Sequence, residues 1–242
     1  MKNRTAVCLA AITLAAFATC ADPVRGDVNL FCPENHFEFR IIDNGTAVEI
    51  TGYVGGRTDV RIPPYIQGLP VTVIGDYAFE GEIYETWENN EASWVRVRYI
   101  TAITIPDSVT HIGYMAFLHN NLTSVVIPSG ITRINDGTFA GNQLTDIIIP
   151  DAVTHIGHMA FGGNQLVSIS IPNNVAYIGL WAFAENRLAS ITIGGNVIIE
   201  PAFITGIFYD RFGESFAPFY ESQGRMAGTY TYGNGTWVFQ PR

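Results

Sequence analysis

The chain has 242 residues, with 22 acidic against 13 basic side chains and a formal charge of −9. That balance excludes a nucleic-acid partner or an anionic-membrane surface, since both need clustered Lys and Arg. The length suits one elongated domain or two small ones.

Residues 1–19 read as an export signal. Lys2 and Arg4 give a charged start, and "AVCLAAITLAAFA" gives an apolar run too short to span a membrane stably. Losing the two positive charges of Lys2 and Arg4 takes the mature chain from −9 to −11. Cleavage after Ala16-Phe17-Ala18 would release a freely soluble product in which Cys20 and Cys32 could pair. Cleavage just before Cys20 in "FATC", which resembles a relaxed bacterial lipobox with Phe17 and Thr19 in place of the usual residues, would use Cys20 for lipidation instead. Cysteine arithmetic favours the second route, so residues 20–35 are expected to form a lipid tether to the membrane. Within that tether, "VRGD" resembles integrin-recognition sequences, but a flexible segment supplies no presenting turn and chance occurrence is the better reading.

Over 36–51, alternating Phe37, Phe39 and Ile41, then Val48 and Ile50, flank "DNG" and predict a hairpin. Its expected role is to cap the open end of the residues C-terminal to it, because an exposed end would leave strand edges and core bare.

From residue 52 to 209 the chain repeats. Proline recurs every 22 residues at Pro106, Pro128, Pro150 and Pro172. The same step relates Phe117, Phe139, Phe161 and Phe183, and likewise Asn120, Asn142, Asn164 and Asn186. It also relates Leu122, Leu144, Leu166 and Leu188 to one another, as it does Ile112, Ile134, Ile156 and Ile178. Such columns define a solenoid. Units start at Ile100, Leu122, Leu144 and Leu166, with a degenerate one at Leu188 and a shorter relative upstream in "VRIPPYIQGLPVTVIGDYAF", making about six coils. Within a unit, Leu122, Val125 and Ile127 run inward at strand period until Pro128, and Ile131, Ile134 and Phe139 form a second inward edge. No coil can bury these alone, so neighbours must stack into one core. The repeated Asn is expected to satisfy backbone groups that a tight bend leaves unpaired.

These units, "LTSVVIPSGITRINDGTFAGN" and "LTDIIIPDAVTHIGHMAFGGN" above all, resemble the BspA-like (TpLRR) class of bacterial leucine-rich repeats, whose pattern runs L-x-x-I-x-I-P-x-x-V-x-x-I-G-x-x-A-F. The chain departs from it in carrying Asn where many members carry Cys, and in lacking the proline after Ile193. The resemblance implies a mainly β leucine-rich repeat solenoid with parallel strands, short turns or helical segments, and capped ends. It also implies a surface or periplasmic protein of the bacterial cell envelope, of the adhesin type, with a protein partner in the host matrix or on a cell surface.

The step from Phe79 to Phe117 is 38 residues, so an insertion falls at about 80–99, predicted as a hairpin turning near Asn89-Asn90. Trp87 and Trp94 there either anchor a partner or pack on the first coils. Residues 210–242 form a C-terminal cap whose hairpin sets Tyr230 and Tyr232 against Trp237 and Phe239 across "GNG".

No catalytic pattern emerges: there is no G-x-S-x-G elbow, phosphate-binding glycine loop, H-E-x-x-H or Cys-x-x-Cys pair, so neither an enzyme nor a cofactor is expected. Binding is instead expected on the strand face, where Thr104, Val126, Ile148, Ser170 and Thr192 form one outward row. Ala102, Ser124, Asp146, Ser168 and Ser190 form the next. The faces are small, nearly uncharged, and apolar at the centre, which suits a protein or extended ligand. The alternatives are an unoccupied strand face, rich in Thr and Ser because they suit strands, and a periplasmic scaffold or small-hydrophobe binder with no host partner. His155 and His158 in "THIGHMAF" carry metal-ligand spacing, with Asp136 one coil away as a third group. Their columns mix His, Arg, Tyr, Asp and Leu, which marks them as outward repeat positions instead of a metal site.

Overall fold

The computed structural model describes residues 31–88, 91–200 and 216–241, with side chains outside 83–98. The export signal, Cys20, the "VRGD" stretch, Asn89-Asn90 and the end of the last coil lie outside these residues. Among them no helix is long and apolar enough to cross a membrane.

The coils stack as their columns require. Leu122, Leu144, Leu166 and Leu188 are fully buried, as are Ile112, Ile134, Ile156 and Ile178. The phenylalanine column forms a ring stack from Phe79 through Phe117, Phe139 and Phe161 to Phe183, with centroids 5.2 to 5.7 Å apart. Such offset aromatic contacts add to the burial of each ring and fix the height at which one coil sits on the next. Fold class and repeat length are therefore as the periodicity predicts, with six turns of about 22 residues.

Two ladders run along the stack. The front ladder pairs Asp59–Arg61 with Ala102–Thr104 in parallel, and Ser168–Ser170 with Ser190–Ile193. The side ladder pairs Leu69–Ile74 with His111–Ile112 and then, in a separate sheet, Arg133–Ile134, His155–Ile156, Tyr177–Ile178 and Ile198–Ile199 in sequence. A continuous front ladder does not form. Residues 124–126 and 146–148 are extended in pattern but belong to no sheet.

The third edge of each coil is a sharp corner. Tyr77, Met115, Gly137, Met159 and Trp181 occupy one left-handed column, with φ from 50 to 62°. For the four side-chain-bearing residues this costs roughly 1–2 kcal/mol each. It is offset by amides that reach the next coil, as Phe117 N to Thr138 O, Phe139 N to Ala160 O and Phe161 N to Ala182 O, all at 2.8 to 2.9 Å.

The asparagine column closes this corner. Asn142 Nδ2 donates to Phe117 O of the preceding coil at 2.9 Å and lies near Phe139 O and Ala140 O, while its Oδ1 accepts from Leu122 N at 3.0 Å. Asn120, Asn164 and Asn186 repeat the arrangement. One amide thus serves two coils, satisfying groups that a buried bend would leave unpaired.

Each end enters a different ladder. Phe37–Ile42 and Ala47–Tyr53 form an antiparallel hairpin whose second strand joins Leu69–Ile74 in parallel. Phe37 and Tyr53 lie 6.4 and 5.7 Å from Phe79 and cover the first ring of the stack. At the other end, Gly228–Gly233 pairs antiparallel with Ser190–Ile193 and with Thr236–Pro241, in the register Tyr230 to Phe239 and Tyr232 to Trp237. Beneath it lies a helix, Ala217–Ser222, which no periodicity announced; its Tyr220 hydroxyl donates to Gly194 O at 2.7 Å and accepts from Val197 N at 3.1 Å.

Candidate functional site: the strand face and the inserted ribbon

The front of the array carries the row named from the sequence. Alternation sends Ile127 and Ile149 into the core and turns Val126 and Ile148 outward, leaving them 82% and 84% exposed. These are the most exposed of the large apolar side chains described. Thr104 and Ser170 flank them and are also exposed. Thr192 differs. It is half-buried, and its hydroxyl lies 3.0 Å from that of Thr229, because the C-terminal hairpin extends the front ladder there. The open stretch therefore runs from Thr104 to Ser170, narrower than the five-residue row.

In that stretch the chain is not tied sideways. Ala102–Thr104 pairs only backward to Asp59–Arg61, and Ser168–Ser170 only forward to Ser190–Ile193. The two apolar side chains thus stand on backbone that joins no ladder among the described residues. The charged groups on this face are few: Asp146 among the exposed residues of the second row, and Arg61 with Asp59, 3.9 Å apart, at its start.

The insertion is a two-stranded ribbon, Glu82–Glu88 and Glu91–Arg98, joined to no other strand among the described residues. Its last described pair is Glu88 with Glu91, and Asn89-Asn90, where the sequence puts the turn, lie outside the described residues. Trp87 stands opposite Ala92, and Trp94 opposite Glu85.

The histidine pair separates. His155 lies in the side ladder, its Nδ1 2.9 Å from Thr154 Oγ1 and its ring 6.0 Å from that of Tyr177. His158 Nε2 instead meets Glu200 Oε2 at 2.9 Å. Asp136, the third group proposed from the repeat frame, accepts the backbone N–H of His158 at 2.9 Å and so braces the corner. Among the described residues no group of three His, Cys, Asp or Glu is placed to hold a metal ion.

Sequence reasoning missed Glu200. Its carboxylate accepts from the Tyr177 hydroxyl at 2.5 Å and from Leu180 N at 3.2 Å in addition to His158. The Tyr177 hydrogen bond, ahead of the Leu180 amide and His158, holds the Glu200 carboxyl below its ordinary value against the opposing effect of burial. The same bond, with burial and the carboxylate charge behind it, pushes the Tyr177 hydroxyl up to about 12. The only signal was the loss of one residue between Ile178 and Ile199, a step of 21 in place of 22.

Stacked parallel coils with an Asn-closed corner and a leucine-initiated front define a leucine-rich repeat solenoid. Residues 90–206 match, in six copies, the BspA type leucine rich repeat region, and the array belongs to that family. The fold is similar to that of the T. pallidum leucine rich repeat protein (TpLRR), at 24% identity over 71% of this chain and 84% of that one, with a TM-score of 0.56. It is also similar to a leucine-rich repeat protein from Bacteroides ovatus ATCC 8483, at 27% identity over 69% of this chain, with a TM-score of 0.55; the match spans 41% of that protein. No protein of curated function matches the chain.

Proposed function

We propose that this is an exported, lipid-anchored binding protein of the bacterial envelope, adhesin-like, which holds a protein partner on its front face between Thr104 and Ser170. The inserted ribbon, which carries Trp87 and Trp94, supplies a second contact. The observation that carries this reading is the adjacent pair Val126 and Ile148, each more than four-fifths exposed in a setting of small, nearly uncharged side chains. Leucine-rich repeat arrays typically serve as binding scaffolds, so binding is assigned. Anchoring is assigned to Cys20 and the partner to the host matrix or a cell surface.

The test is saturable binding to immobilised extracellular-matrix proteins, compared with Val126→Asp plus Ile148→Asp. Both positions are so exposed that the fold should tolerate the change, leaving the melting temperature within about 2 °C. Loss of binding with an unchanged melting curve supports the assignment; retained binding moves the site elsewhere. Fatty-acid labelling that persists in Cys20→Ala would remove the anchor.

A further inference from the structure

Two hydrogen bonds recur where one coil succeeds another along the side ladder. At the entry to the short strand, Thr110 N donates to Thr72 O, Thr154 N to Thr132 O, Ala176 N to Thr154 O and Ile198 N to Ala176 O, all at 2.8 to 2.9 Å. At its exit, Gly113 N donates to Ile74 O, Gly157 N to Ile134 O and Gly179 N to Ile156 O, each at 2.8 Å, and Glu200 N to Ile178 O at 2.9 Å. The step from the coil starting at Ile100 to the coil starting at Leu122 is the exception. Neither bond forms there among the described residues, and His111–Ile112 and Arg133–Ile134 fall in different sheets.

The cause is Asn135, standing in the glycine column. A Cβ at Gly113 would lie 2.5 Å from Asp76 N and 2.6 Å from Gly75 C; at Gly179 it would lie 2.7 Å from His158 N. Close approach of backbone to backbone is what the missing Cβ permits. A Cβ crowds that approach without forbidding it, since Glu200 holds the same column after Gly179 and its N still donates to Ile178 O at 2.9 Å. Asn135 differs in that its own side chain takes the carbonyl, Nδ2 donating to Ile112 O at 2.6 Å where the backbone amides of Gly157 and Glu200 donate in their coils. Thr138, where neighbouring coils carry Ala116 and Ala160, adds a hydroxyl 3.4 Å from Gly113 O.

The corner remains joined. Met115 N, Phe117 N and His119 N donate to Asp136 O, Thr138 O and Ala140 O at 2.9 to 3.0 Å, and Phe117 stacks on Phe139 at 5.4 Å. Across the front, no ladder links Ala102–Thr104 to residues 124–126. The coils starting at Ile100 and Leu122 are thus hydrogen-bonded along the corner and unladdered along both other edges. We propose that this step is a built-in flexure, at which residues 31–121 and 122–200 tilt about the Phe117/Phe139 corner and change the curvature of the front face beside Val126. Asn135 sets its position. This holds whether or not the front face binds a protein.

Hydrogen exchange on the full chain, corrected for intrinsic rates, tests it. The amides of Thr132 and Asn135 are expected to exchange at least about tenfold faster than those of Thr154 and Gly157, which hold the same two columns one coil later. Asn135→Gly restores the column, so the position-135 amide slows to the Gly157 range and the melting temperature rises. Asn135→Ala deletes Nδ2 and leaves only a Cβ, which the column tolerates at Glu200, so the position-135 amide is expected to slow toward the Gly157 range as well. Gly157→Asn moves the fast exchange to Thr154 and position 157. Equal protection of the two steps in the natural chain, or a position-135 amide that stays fast in a folded Asn135→Gly, overturns the proposal.

Discussion

Asn142 reaches across one coil boundary, its Nδ2 2.9 Å from Phe117 O, while its Oδ1 accepts from Leu122 N at 3.0 Å. Truncation to alanine would orphan the buried Leu122 amide and leave Phe117 O with Asn120 Nδ2, at 3.1 Å, in place of two donors. Asn142→Ala is therefore expected to lower unfolding stability by about 1–3 kcal/mol, the cost of one buried group left unsatisfied. A urea titration reads this as a lower midpoint at unchanged slope; a loss under about 0.5 kcal/mol would show the amide to be replaceable by water.

Phe139 is fully buried between Phe117 and Phe161, 5.4 and 5.7 Å away. Phe139→Ala removes both contacts and opens a cavity in a column that cannot collapse without shortening the stack. The expected loss is about 3–5 kcal/mol. Phe139→Leu, which keeps most of the volume, should cost much less, and calorimetry on the two variants separates volume from ring stacking.

A methyl group at Gly157 would press on Asp136 Oδ1 and stand 2.7 Å from Asp136 N and 2.8 Å from Asn135 C, two of these being backbone. Gly157→Ala should destabilise by roughly 1–3 kcal/mol, the usual range for overpacking. Gly56→Ala is the control. Its Cβ would meet nothing within 4 Å, so a change inside about 0.5 kcal/mol is expected in the same denaturant series.

The Tyr177–Glu200 bond makes stability depend on pH at both extremes. Raised in the folded state to about 12 from an ordinary 10.0, Tyr177 contributes stability that is complete below pH 10 and is lost as pH rises through about 12. Glu200, held below its ordinary 4.5 chiefly by the same bond, contributes stability present above pH 4.5 and lost as pH falls through its folded value. Tyr177→Phe should flatten both limbs. Thermal melts across pH, with tyrosinate absorbance on the alkaline side, would contradict this if the variant kept the natural profile.

Much of the architecture was legible because its unit is local. The burial of Leu144, Ile156 and Phe161 follows from spacing, as does the corner role of Asn164. The Tyr230–Phe239 register follows from turn residues and alternation. The outward direction of Val126 and Ile148 was legible for the same reason. Less so were the left-handed corners, since Tyr77, Met115 and Met159 carry no common signature and the bonds that hold them come from the next coil. Nor could spacing reveal that Thr192 is covered, because Thr229 arrives from 37 residues away.

What the sequence determines by itself is the coil: its length of 22, its inward edges, and the residues that must be buried, since each depends on the periodicity of one chain segment. Only the tertiary structure decides how coils meet. Whether Asn135 is a repeat variation or a wedge, whether His158 pairs with Asp136 or Glu200, and where the front ladder lapses all depend on distances of a few tenths of an ångström between backbones. Those distances are set by stacking every coil at once, through packed rings and shared amides, and no window of sequence contains them.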